Sequence, residues 1–138
     1  MRIKIFEKIP QQARNIREEV FLKEQGFKSD KDNIDDVATH LVGYEGEKPV
    51  ATCRVFESEN KGVYFLGRLA VLKAHRGNGY GKQLIAKAEE CIMEFGGKSL
   101  ILHSQLHAKD FYTKLGYTEY GEVEYEQNQP HVWMKKDF

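Results

Sequence analysis

The chain has 138 residues, the size of one ordinary domain and long enough to bury its own core, so a single domain over residues 1–138 is expected. Its 41% hydrophobic and 30% charged residues match a soluble globular protein, and no apolar run approaches the roughly 18 residues of a membrane span. Lysine plus arginine equals aspartate plus glutamate at 21 each, so no bulk field draws the chain to nucleic acid or an anionic membrane; any anion must be held locally.

Arg2–Glu7 alternates and reads as a first strand. The opening MRIKIFEKIP has no signal-peptide h-region, and Cys53 and Cys91 match no CxxC or secreted-scaffold spacing, so reduced buried thiols and a cytoplasmic address are expected. Pro10 suits a first helical turn, and Ala13, Ile16 and Val20 follow at three- and four-residue spacing, the mark of an amphipathic helix. From Phe27 to Val37 the periodicity lapses into an acidic loop. Ala38–Glu45, Pro49–Glu57 and Val63–Val71 read as strands. A second helix runs from about Gly79 to Phe95, with Leu84, Ile85, Ala88, Cys91, Ile92 and Phe95 on one face, and Gly96-Gly97 stops it. Strand Ser99–Ser104, a short helix from about Ala108 to Leu115, and strands Tyr117–Tyr125 and His131–Lys135 complete the chain. Early hairpins followed by strand–helix–strand units imply a mixed sheet with helices on its faces, on the border of the α+β and α/β classes.

The most informative run is a strand ending at Val71, then Lys73-Ala-His-Arg-Gly-Asn-Gly-Tyr-Gly81, then the long helix. Glycines at 77, 79 and 81 let a ligand approach the backbone, the helix start offers unpaired N–H groups, and Arg76 and Lys82 add full charges: a phosphate-binding arrangement. A Walker A loop would need glycine at 76 and Ser or Thr at 83, where Arg76 and Gln83 stand. A GxGxxG fingerprint would need glycine at 82 or 84, where Lys82 and Leu84 stand.

The loop fits Arg-x-x-Gly-x-Gly, as Arg76-Gly-Asn-Gly-Tyr-Gly81, and here the chain resembles the GCN5-related N-acetyltransferase (GNAT) superfamily, in which this motif cradles the pyrophosphate of coenzyme A. Ala108-Lys-Asp-Phe-Tyr-Thr-Lys-Leu-Gly-Tyr117 is similar to the family's last helix. Phe21-Leu-Lys-Glu-Gln-Gly26, Ala38-Thr-His-Leu41, Pro49-Val-Ala-Thr-Cys-Arg54, Gly67-Arg-Leu-Ala-Val71, His131 and Met134-Lys135 extend the likeness over nearly the whole chain, to the ElaA/YjcF-like branch. The resemblance implies a mixed, mostly antiparallel sheet flanked by helices and splayed between its fourth and fifth strands. It also implies acetyl transfer from acetyl-CoA to a primary amine by direct attack, without a metal.

The resemblance further implies that backbone groups of Leu69, Ala70 and Val71 hold the pantetheine arm, that Arg76, Gly77, Asn78, Gly79, Tyr80, Gly81 and Lys82 hold the pyrophosphate, and that Lys114 adds to the cofactor site. Gln105 stands where the family often has an asparagine. Tyr112 is implied to hold or protonate the departing sulfur, although at helical spacing beside Phe111 it also reads as a core aromatic. Glu24, Gln25, His40 and His131 are the candidates for the acceptor side, each with a structural alternative: helix-end solvation for the first two, a satisfied structural histidine for the others. The general base stays open among Glu24, Glu57, His40, His103 and His131, with a water chain as the alternative route for the proton. His103 and His107 cross from a strand into a loop and lack a HExxH glutamate, which argues against a metal site. Arg54 and Arg68 read as outward-facing strand residues, with an anionic acceptor as the alternative, and Tyr44, Tyr64, Tyr120, Tyr125 and Trp133 either line a pocket or fill the two faces of the sheet. The expected partner is a small-molecule or peptide amine, with no nucleic acid or membrane, and the chain is a monomer or homodimer. A non-catalytic acyl-CoA binding or sensing module is the alternative.

Overall fold

A computed structural model describes all of residues 1–138. Strand β1 (Arg2–Phe6) leads through extended Pro10 into helix α1 (Gln11–Arg17), which continues without a break as a π-wound segment over Glu18–Glu24. β2 (Thr39–Glu45), β3 (Lys48–Glu57) and β4 (Val63–Val71) form a meander; α2 (Tyr80–Glu94), β5 (Ser99–Gln105), α3 (Lys109–Lys114), β6 (Thr118–Glu126) and β7 (Gln129–Asp137) follow. One seven-stranded sheet results, in the order β1-β2-β3-β4-β5-β7-β6. Every pairing is antiparallel except β4 with β5.

The sheet separates two cores because each long helix has one apolar stripe. On one face α2 contributes Leu84, Ile85, Ala88 and Ile92, and α3 contributes Tyr112, against Leu41, Cys53, Leu66, Leu100, Leu102 and Met134 of the strands. On the other, Ala13, Ile16, Val20 and Phe21 pack on Val42, Tyr44 and Ala70. A fully buried Leu or Ile is worth about 1.5–3 kcal/mol, so truncating Ile85 to Ala would cost about 2–5 kcal/mol once its cavity is included. Both cysteines are free and buried, and burial pushes the Cys53 thiol up to about 12, as expected of unreactive core thiols.

The sheet splays where expected. β4 and β5 pair only from Val63–Ser99 to Leu66–Leu102. Beyond that point Arg68 takes a left-handed φ of 52°, and the register with β3 slips so that Arg68 and Leu69 stand opposite Cys53 alone, between the pairs Arg54–Gly67 and Thr52–Ala70. Such a bulge bends its strand. The far half of β4 therefore turns away from β5 and leaves a cleft between them.

Two regions differ from the sequence expectation. β7 runs longer than His131–Lys135 and β6 is shifted one residue onward, the two joined by Gln127 and Asn128 with φ of 48° and 65°, the double left-handed geometry of a two-residue hairpin that matches strand twist. The acidic stretch after Phe27 turns inward instead of dissolving into solvent. Asp35 accepts from Arg17 and Arg54 (2.8 Å each), Asp30 from Arg17 (2.6 Å), and Asp32 from Arg54 (2.6 and 2.7 Å) and Arg68 (3.3 Å). Arg54 is thus no outward-facing strand residue: only 3% of it is exposed, and its charge is answered by two aspartates. Buried charges persist only when paired and hydrogen-bonded. Burial alone would raise Asp35, but the hydrogen bonds from the two guanidiniums outweigh it and hold the carboxyl down at about 2.

Candidate active site in the splay of the sheet

A groove of about 500 Å³ runs from the splayed end of β4 to the start of α2, lined among others by Gln25, Leu69, Ala70, Val71, Arg76, Gly77, Gly79, Tyr80, Gly81, Lys82, His107 and Phe111. Main-chain alternation sets what β4 offers to it. Leu72 N donates to Val50 O of β3, so Ala70 also turns its main-chain groups to β3, whereas those of Leu69 and Val71 face the cleft. Of the three positions implied to hold an extended ligand, two therefore present polar backbone to it, and Ala70 contributes only contact.

At the helix end the N–H groups of Gly77, Asn78, Gly79, Tyr80, Gly81 and Lys82 have no partner in the protein; helical bonding begins with Gln83 N donating to Gly79 O at 3.0 Å. Gly77 and Gly79 hold φ of 84° and 77°, and a Cβ on either would meet nothing within 4 Å, so both the left-handed backbone and the open space above it are real. Six donors with an open approach, at the positive end of a fifteen-residue helix, fit a pyrophosphate. Lys82 lines the same groove. Arg76 behaves differently from the sequence expectation. Its guanidinium forms a two-pronged pair with Glu24 (2.6 Å on each prong), and its Nε donates to Val71 O at 2.9 Å, so it fastens the loop to the end of the first helix instead of standing free.

A second, smaller cavity of about 150 Å³ adjoins the groove at Leu69, on the α1 face of the sheet. Phe21, Phe27 and Asp30 close one side; His103, Gln105, Glu126, Gln127 and His131 form the other. Phe27 is held edge-on to Phe21 with centroids 6.4 Å apart, and Gln127 clamps the loop by accepting from Lys28 N and donating to Ser29 O. Glu126 Oε2 lies 3.3 Å from His103 Nδ1 and 3.9 Å from His131 Nε2. The two imidazoles sit 4.9 Å apart, and His103 stacks on Trp133 at 4.2 Å. His103 Nε2 is buried without a partner. Burial and the neighbouring His131 lower the pKa of His103 against the opposing pull of Glu126, so it stays neutral at neutral pH.

Gln105 bridges the two cavities: its Nε2 donates to Gln25 Oε1 at 2.8 Å, and its Oε1 lies 2.7 Å from His107 Nε2. Gln25, expected on the acceptor side, lines the groove that holds the amide cradle. Glu24 does not line the smaller cavity either; the hydrogen bond from Arg76 lowers its pKa, which makes it a poor base. His40 is overturned as an acceptor ligand: it is 1% exposed, its Nε2 bonds Asp35 O at 3.0 Å, and burial lowers its pKa, so it is a structural histidine of the aspartate–arginine network. Glu57 leaves the set of bases because it serves the turn after β3, accepting from Gly62 N. His131 stays on the cavity wall. Lys114 is exposed at the end of α3 and lines neither cavity.

Tyr112 also lines neither cavity and packs in the main core, edge-on to Phe111 and Tyr117. Its hydroxyl has no hydrogen bond in the protein, yet it is absent from the wholly buried unpartnered atoms, so it touches open space. Burial, then the neighbouring Cys53, raise its pKa, which keeps the phenol protonated. Sequence inspection passed over Glu126, Asp30, Phe27 and Gln127. The hairpin pair Gln127-Asn128 was the available signal, since recognising its turn would have placed Glu126 at the rim of β7.

Residues 7–138 match the acetyltransferase (GNAT) domain. An uncharacterised N-acetyltransferase of Bacillus subtilis, YjcF, is 37% identical over 125 residues, covering 88% of each chain. ElaA of Escherichia coli is 30% identical over 110 residues, 78% of this chain and 72% of that one, and its crystal structure superposes with a TM-score of 0.88 over 99% of both. The fold is also that of an aminoglycoside 6′-N-acetyltransferase solved with coenzyme A, at 18% identity and a TM-score of 0.80 over 99% of this chain and 97% of that one.

Proposed function

The chain belongs to the GNAT family of acetyltransferases, and from that premise we propose that it moves the acetyl group of acetyl-CoA to a primary amine by direct attack. The observation that carries this reading is that two cavities share Leu69 as a wall: one has a phosphate-fitting cradle of amides, the other a carboxylate and two histidines. Acetyl-CoA supplies the activated acyl group. The amides from Gly77 to Lys82 would hold its pyrophosphate, and the cleft-facing main chain of Leu69 would align the arm as a strand-like guest beside β4. Glu126 Oε2 receives the proton of the attacking amine and shares it with His103 Nδ1. Tyr112, kept protonated by burial, donates its hydroxyl hydrogen bond to the departing thiolate.

Calorimetric titration of acetyl-CoA into wild type and Gly79→Glu tests the cradle. Binding by the wild type alone, with both proteins folded, supports it; no binding by the wild type removes the cofactor and the enzyme reading with it. Free thiol released only in the presence of an amine then separates transfer from binding without turnover, the outcome that would favour a non-catalytic acyl-CoA module.

A further inference from the structure

Beyond the cavity, the same face of the sheet carries a run of half-buried aromatic rings. Phe56 of β3 lies 5.3 Å from Phe65 of β4, Phe65 lies 6.0 Å from Trp133 of β7, and Trp133 stacks at 4.2 Å on His103, whose ring forms the cavity wall. Phe56, Phe65 and Trp133 are each only partly buried. Carboxylates edge this run where the register of β6 on β7 places them on the same face. Glu124, paired with His131, accepts from Trp133 Nε1 at 3.3 Å, and Glu126 reaches His103. Neither carboxylate has a lysine or arginine partner. The neighbouring guanidiniums are engaged: Arg54 with Asp32 and Asp35, Arg68 with Asp32 and Asp30 O.

Aromatic faces beside unneutralised carboxylates attract ammonium groups through cation–π and ionic terms, and the rings also take methylene chains. Resting on the acetyl-transfer reading, we propose that the acceptor is an aliphatic oligoamine: one nitrogen enters the cavity at Glu126, and a second ammonium rests on Trp133 against Glu124. The mouth argues for a small molecule over a peptide. Lys28 N and Ser29 O, on the loop at its edge, are already bonded to Gln127 and so are closed to a peptide backbone.

Trp133 is the single tryptophan of the chain, so its emission reports occupancy without any acetyl transfer. Spermidine is titrated into wild type, Glu124→Gln and Glu119→Gln. Glu119 is on the same strand but paired with Met134 and bonded to Lys109 of α3, so its variant removes one negative charge equally without touching the run. The expected result is a saturable change in wild type, weakened about fivefold or more by Glu124→Gln and unaltered by Glu119→Gln, with n-butylamine far weaker than spermidine. Absence of a saturable change, equal loss in the two variants, butylamine as good as spermidine, or tighter binding of a lysine-containing peptide overturns the proposal. Acetyl-CoA calorimetry on the same samples reads the acetyl-transfer premise independently, so the two can fail separately.

Discussion

Arg76 and Glu24 face each other as a two-pronged ion pair, 2.6 Å on each prong, across the seam between the phosphate-fitting loop and the end of the first helix. With Arg76 Nε also bound to Val71 O, three contacts set the position of the loop, and the charge that would attract an anion is neutralised at rest. Glu24→Gln is expected to leave the fold intact and to tighten acetyl-CoA binding several-fold at low salt, because Arg76 then presents an unbalanced charge. Calorimetry at two ionic strengths checks it: the gain should shrink when screening is strong. Weaker binding at both would mean that the pair's service is positional.

Tyr112 has a hydroxyl without a protein partner in an otherwise apolar setting, so Tyr112→Phe removes no hydrogen bond and should shift the melting temperature little. If it serves the leaving sulfur, kcat should fall by about 100-fold while KM for acetyl-CoA changes little, the range of a lost proton-transfer partner. Unchanged kcat would return Tyr112 to the core as an ordinary aromatic.

His103 has a pKa lowered by burial and by His131, with Glu126 pulling the other way. It must be neutral to share the proton taken at Glu126, so kcat/KM should drop as pH falls through a value below the ordinary 6.5 of histidine. His131→Gln removes the neighbour that disfavours charge on His103, so the acid limb should move to higher pH. A limb that stays in place in that variant would separate His103 from the titration that governs rate.

Arg17 is 2% exposed and ties Asp30 and Asp35 to the first helix, so Arg17→Ala leaves two buried carboxylates short of a partner. Destabilisation of about 3 kcal/mol or more is expected by urea unfolding. The same network sets the acid response. Asp35 is depressed from 3.8 to about 2 in the folded state, so its stabilising contribution is complete above about pH 4 and is lost as pH falls toward 2. Asp35→Asn should be less stable at neutral pH and flatter over that window.

Local chemistry alone made much of this protein legible. The glycines of the loop, the three- and four-residue apolar spacing of the helices and the alternation of most strands are short-range features, and they set the elements, the amide cradle at the start of α2 and the mixed character of the sheet, whereas its splay was expected only from the family resemblance. What a charged or polar side chain meets depends on residues far away in the chain, and there the tertiary structure decided. Arg76 finds Glu24, 52 residues away, and turns from ligand to clasp. Arg54 finds Asp32 and Asp35 and turns from surface residue to buried counterion. His40 is buried beneath Asp35, while His103 is brought by β5 to a carboxylate on β6 that no local motif marks. Pattern reveals which face of an element is apolar; only the assembled sheet determines which charges share a cavity, because pairing across it depends on register, bulge and twist.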